Sequence, residues 1–223
     1  MNDTPFPFDP LHRLIIAYAK RSDRLRHTLV FALDNRLADI IRSTSETLIG
    51  QMRLTWWWEI LTKTITQRPV GEPLVALINE VEEQGADFTP LLSLLEGWEY
   101  LLDDFPWDDR QFDQYAMKRG EGVFAFARGG YALLTSDQKT AAQAWALWDF
   151  ARHCSDTKMR AQAFVKCRQL FQTVSPVRFD RNGRALSILC KLVERDVTKK
   201  ALTADLYQPV VASKVVWHGM TGC

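Results

Sequence analysis

Long hydrophobic runs are missing from this chain of 223 residues: no stretch of about 18 apolar residues occurs, so an ordinary membrane-spanning helix is excluded. Charge of one sign is missing too. Lys and Arg number 28 against 27 Asp and Glu, and a net charge of +1 gives no bulk attraction for nucleic acid. Cys154, Cys167, Cys190 and Cys223 never form a C-x-x-C pair, as expected for reduced thiols in a cytoplasmic protein. His12, His27, His153 and His218 are equally scattered, so no His/Cys metal site is legible. The first residues lack a basic stretch followed by an apolar run, and no signal peptide is expected. Phosphate loops, nucleophile elbows, zinc-protease helices and dinucleotide-binding glycine loops are absent. So are period-two alternation, fixed repeats and low-complexity linkers. What remains, at 47% hydrophobic, is enough for one large core, and a single all-α domain over 1–223 is expected.

Helix signals are dense. Asp9-Pro10 is a cap followed by a first-turn proline, opening a helix over 10–20. Ser22 is placed to cap a second over 23–42, with Leu25, Leu29, Leu33, Leu37, Ile40 and Ile41 as its apolar face. A third covers 46–66 and stops before Pro69 and Gly71. Pro73 starts a short helix ending near Gly85, and Thr89-Pro90 starts another that Pro106 breaks. A long segment over 108–134 follows. Thr135-x-x-Gln138 reads as a capping box leading into Ala141–Arg152. Further helices are expected at 157–172, 181–197 and 205–217.

The third helix holds the most unusual string, Gly50-Gln-Met-Arg-Leu-Thr-Trp-Trp-Trp-Glu-Ile-Leu61. Adjacent residues in an α-helix are about 100° apart, so Trp56, Trp57 and Trp58 cannot share a face. Since each indole removes roughly 150–250 Å² from water when buried, at least two covered faces are expected. Leu54, Trp57, Trp58, Leu61 and Ile65 form the predicted core stripe, and Arg53 is spaced to stack on Trp57. Gly120 and Gly122 interrupt a helical pattern, which points to close helix packing or to room for a long apolar ligand.

Carboxylates are the remaining source of chemistry. Asp34 and Asp39, five apart, point to different helix faces. Asp103, Asp104, Asp108, Asp109 and Asp113 cluster around Pro106 and read as first-turn aspartates, with Asp109 and Asp113 on one face. Asp149 is expected to pair with Arg152 or His153, its neighbours at i+3 and i+4.

Phe31-Ala-Leu-Asp-Asn-Arg-Leu-Ala-Asp39 followed by Glu46-Thr-Leu-Ile-Gly-Gln-Met-Arg-Leu-Thr-Trp-Trp57 resembles the squalene/phytoene synthase family. The likeness is to the branch whose third helix reads G-x-x-R-L-x-W-W, and it continues through Leu94–Tyr100 and Phe112–Ala116. It implies an isoprenoid-synthase-like (terpenoid synthase) helical bundle around a central cavity. Active members condense two prenyl diphosphates head to head, with Mg²⁺ held by two aspartate-rich helices. The first motif, D-D-x-x-D, falls on Ala38–Arg42 and retains only Asp39, with Arg42 where its last aspartate should be. The second, D-x-x-x-D, is reduced to Asp149 with His153. The Arg-x-Tyr-Leu-Pro-like stretch that follows in the family is not found.

The resemblance therefore implies Asp39 and Asp149 as the candidate catalytic carboxylates, and as the Mg²⁺ ligands if the protein is enzymatically active. Arg42, Arg53, Trp56 and Tyr115 are the candidate ligand-binding residues. Guanidinium groups meet phosphate without metal, so Arg42 and Arg53 suit a diphosphate. One carboxylate per side beside an arginine is a poor Mg²⁺ trap, and the expected function is a non-catalytic isoprenoid- or partner-binding role in a degenerate site. The alternative is an active prenyltransferase. Because the same branch includes a mitochondrial complex I assembly factor, a respiratory-complex assembly role is a further alternative. The expected partners are an isoprenoid diphosphate or lipid-like ligand and a membrane or respiratory-assembly protein. No nucleic acid is expected, and the expected location is cytoplasmic, with a peripheral membrane association allowed.

Overall fold

Proline in the first turn marks three of the helix starts in the computed structural model, which describes residues 5–204 and 206. Asp9 accepts from the His12 amide at 2.8 Å to open α1, Pro10–Tyr18. Glu72 precedes Pro73 at the head of α4, Pro73–Glu83, and Pro90 sits in the first turn of α5, Thr89–Glu99. Between α1 and α4 run α2, Arg24–Arg42, and α3, Thr47–Thr62. A tight turn over Arg21–Asp23 precedes α2, so Asp23 rather than Ser22 borders it.

The segment expected as one helix over 108–134 is three pieces: α6, Asp109–Tyr115, a π-helical turn, Ala116–Glu121, and α7, Gly122–Arg128. Asp108 and Gln111 form a capping box at its start. Asp109 and Asp113 do share a face, where both meet Lys166. The predicted capping box at Thr135 and Gln138 opens α8, Ser136–His153. Helices α9, Thr157–Val174, and α10, Arg184–Lys199, follow. The helix expected at 205–217 lies outside the described residues. Among those residues no strand occurs, and no helix is long and apolar enough to cross a membrane.

Helix α8 runs through the middle of the bundle, packed on α9 along one side and on the π-helical turn along the other. Its small residues allow this. Ala141, Ala142, Ala144, Ala146 and Ala151 are buried along it, alternating with Trp145, Trp148 and Phe150. A Cβ on Gly120 would be driven into the Ala142 carbonyl, and one on Gly122 would lie 2.7 Å from the Pro90 carbonyl. Both glycines thus serve close backbone approach, and the alternative of room for a long apolar ligand is not what they provide.

Helix α3 corrects the expectation of two covered faces. It lies on the outside of the bundle, against α2 and α5, and buries one face: Gly50, Leu54, Trp57, Ile60 and Leu61. Trp56 and Trp58 remain 40% and 47% exposed, and Ile65 is exposed as well. The Trp56 ring sits edge-on against Trp57 at 4.7 Å, covering part of its own surface within the helix. Arg53 does not stack on Trp57. Arg36 from α2 occupies that position, 5.8 Å from the indole, while Arg53 donates to the Ser43 and Thr44 hydroxyls at 3.0 and 2.9 Å.

Trp57→Ala should cost about 3–5 kcal/mol in urea-melt stability, as for a buried aromatic, whereas Trp58→Ala should cost about 1 kcal/mol or less. Comparable losses would mean that α3 has a second covered face. Gly120→Ala should lower stability by about 1–3 kcal/mol through overpacking, measured in the same way.

Candidate functional site

Asp34 occupies the inner face of α2, in line with Val30, Phe31, Leu37 and Ala38, all buried. A carboxylate in such a stripe needs a partner, because an isolated buried charge is not tolerated. The partner is Arg119, from the π-helical turn. Its Nε donates to Asp34 Oδ1 at 3.0 Å and its Nη2 to Asp34 Oδ2 at 2.8 Å, a two-pronged fit of guanidinium to carboxylate. The same Nη2 reaches Asp149 Oδ2 on α8 at 2.7 Å, and Nη1 donates to the Tyr115 hydroxyl at 2.9 Å. Trp98 on α5 adds a third donor to Asp34, from its indole N–H at 2.7 Å.

The guanidinium is enclosed by rings. It stands 4.7 Å from the Trp98 ring centre and 5.1 Å from that of Trp145. Gly97 makes room for it, since a Cβ there would lie 2.7 Å from the Arg119 amide nitrogen. Beyond Tyr115, the rings of Trp107 and Phe150 stack at 5.2 Å, and each lies within 5.5 Å of the tyrosine. The space between α2, α5, α8 and the π-helical turn is thus occupied by the protein's own cation and aromatics.

Electrostatics follow from this enclosure. Burial disfavours the charge on Arg119, but Asp34, then Tyr115 and Asp149, outweigh it and hold the guanidinium well above its ordinary pKa. Burial likewise works against ionised Asp149, yet Arg119 and then His153 overcome it and bring its pKa below the usual carboxylate value. Burial pushes the Tyr115 hydroxyl upward, with Arg119 opposing, so it stays neutral and accepts a hydrogen bond.

Each expected site residue can now be placed. Asp149 and Tyr115 belong to this cluster. Asp39 does not: it lies on the outer face of α2, exposed and paired with Arg42 at 2.6 Å. Asp39 and Asp149 therefore do not face one cavity, and the carboxylate opposite Asp149 is Asp34. The expected partners of Asp149 also change. His153 Nδ1 is 3.4 Å from it, but Arg152 turns away to the Trp148 ring and the Thr203 carbonyl. Arg53 and Trp56 lie on α3, at the outer surface.

Arg119, Asp34, Trp98 and Trp145 were not anticipated. One signal was available for Asp34, an acidic residue in register with an apolar stripe. Arg119 had none comparable: it falls where Gly120 and Gly122 interrupt a helical pattern, and no local spacing ties it to carboxylates 85 and 30 residues away. The residues also fail as a Mg²⁺ site. That ion requires several oxygens at about 2.0–2.1 Å, whereas both carboxylates here meet on one guanidinium nitrogen. Among the described residues no cluster of three or more His, Cys, Asp or Glu side chains is placed to hold a metal.

The arrangement of helices matches that of a dehydrosqualene synthase crystallised with a ligand, with a TM-score of 0.68 over 95% of this chain and 90% of that one. The fold is squalene/phytoene-synthase-like. Sequence identity in that match is 12%, so the likeness is one of architecture. No family model and no curated protein matches the chain by sequence.

Arg119→Met keeps an unbranched apolar stem but removes the guanidinium and its charge, leaving two carboxylates on one space. At pH 7 it should cost about 3–5 kcal/mol in urea melts. The sign of its pH dependence is also fixed. In the wild type, Asp149 has a lowered pKa, so its contribution is complete above about pH 4 and is lost as pH falls further. In the variant the unpaired carboxylates favour protonation, and the deficit should shrink as pH is lowered from about 7 to 4.5. A deficit independent of pH would show that Arg119 contributes packing alone.

Proposed function

We propose that this protein uses a synthase fold for binding rather than for prenyl transfer. The observation that carries this reading is Arg119 bridging Asp34 and Asp149. Diphosphate activation, as implied by the resemblance, relies on carboxylates from two helices that are free to hold Mg²⁺. Here one guanidinium engages a carboxylate from each of two helices, leaving neither free to recruit a metal.

Of the two binding roles, a protein partner is favoured over a buried isoprenoid chain. The aromatic residues around Arg119 and Tyr115 fill the helix interior, whereas α3 presents apolar side chains outward. An assembly-factor role, in which the fold serves as a docking scaffold, fits that arrangement. Exposed Arg42 and Arg53, close together at the α2–α3 junction, are the residues for an anionic group if one is bound there.

Purified protein incubated with farnesyl or geranylgeranyl diphosphate and Mg²⁺ should release no pyrophosphate above a protein-free control. Release accompanied by a head-to-head condensed product would overturn the binding reading and restore the prenyltransferase.

A further inference from the structure

Helix α3 carries an apolar ridge on its outer side: Leu48, Ile49, Met52 and Trp56, with Leu48 and Met52 67% and 65% exposed. At about 100° per residue these four fall in one sector, turned away from Leu54, Trp57 and Leu61. A contiguous apolar patch on an otherwise mixed surface marks an interaction site.

The ridge does not stand alone. Along one edge, Gln51 and Thr55 line a cleft of about 560 Å³, whose other wall carries Glu96, Glu99, Asp103 and Lys118. Lys118 is committed to Glu96 at 2.5 Å. Glu99 and Asp103 have no cation in ion-pair reach among the described residues, so the cleft carries an excess of negative charge. Partial burial, and then the neighbouring Glu96, push the Glu99 pKa upward, the condition that an arriving cation relieves. Arg53 borders the opposite edge, already bonded to two hydroxyls.

We propose that the α3 ridge and its acidic cleft dock a basic amphipathic helix of a partner protein. Its apolar face covers Leu48, Met52 and Trp56, and lysine or arginine side chains along one edge enter the cleft toward Glu99 and Asp103. This is helix-in-groove recognition, with the charged edge fixing orientation. Charge selects this occupant over two others. An anionic bilayer would bring its phosphates against the acidic cleft, and a second copy of the chain would bring another acidic cleft. The proposal rests on the binding reading above.

The test is calorimetric titration with a synthetic amphipathic helix bearing lysines along one edge of its leucine face. A glutamate counterpart and phosphatidylcholine–phosphatidylglycerol vesicles serve as the other arms. The lysine peptide should bind, more weakly at high salt, and the glutamate peptide at least about tenfold less tightly. Leu48→Gln with Met52→Gln, and separately Glu99→Gln with Asp103→Asn, should each weaken the lysine peptide about tenfold while leaving the melting temperature unchanged. Equal affinity for both peptides, or indifference to either pair of substitutions, would overturn the proposal. So would vesicle binding abolished at Leu48 and Met52, or a dimer dissolved by that same pair. Failed peptide binding with no pyrophosphate release would overturn the docking proposal and leave the binding reading intact; pyrophosphate release with normal peptide binding would overturn the binding reading and leave the docking surface standing.

Discussion

A guanidinium withdrawn from water is stable only where carboxylates, hydrogen-bond acceptors and ring faces replace its hydration. Arg119 meets that requirement with Asp34 from α2, Asp149 from α8, Tyr115 from its own segment, and the indoles of Trp98 and Trp145. Removing Arg119 leaves both carboxylates without their shared cation. Four parts of the bundle are consequently held in one relative placement by a single side chain. Hydrophobic contacts alone tolerate small slips between helices; a two-pronged ion pair tolerates few.

The local backbone is shaped around that side chain. The π-helical turn over Ala116–Glu121 interrupts what would otherwise run on from α6 into α7. Gly97 and Gly120 bring α5 and α8 against it more closely than a side chain would permit. Turns of this kind recur where a helix must present a group that regular geometry would aim elsewhere. Here the group presented is a fixed cation between helices. In the reading proposed above, that cation takes up the carboxylates a metal would need while the architecture is preserved.

With the interior committed, the surface becomes the informative part of the molecule. Trp57 is spent on the core, clamped by Arg36, whereas Trp56 and its apolar neighbours on α3 face outward beside an acidic cleft. The Trp-rich string thus divides its residues between two tasks, one per face.

Helix positions, the proline starts and the Thr135–Gln138 capping box were legible in the chain because each depends on residues within one or two turns. The resemblance carried in the third helix gave the correct fold for the same reason, since its spacing is a local pattern. The site was legible only in part. Of the residues named from the sequence, Asp149 and Tyr115 lie in the Arg119 cluster, whereas Asp39 lies on the outer face of α2 and Asp34, in register with the apolar stripe, lies inside. Arg119 lies 85 residues from Asp34 and 30 from Asp149, and no short-range rule connects them. By itself the sequence determined most of the helical segments, several of their caps and the broad fold they build. Only the tertiary structure decided which charge neutralises which, because that depends on distances in space and on the exclusion of water, and both arise once the helices have packed.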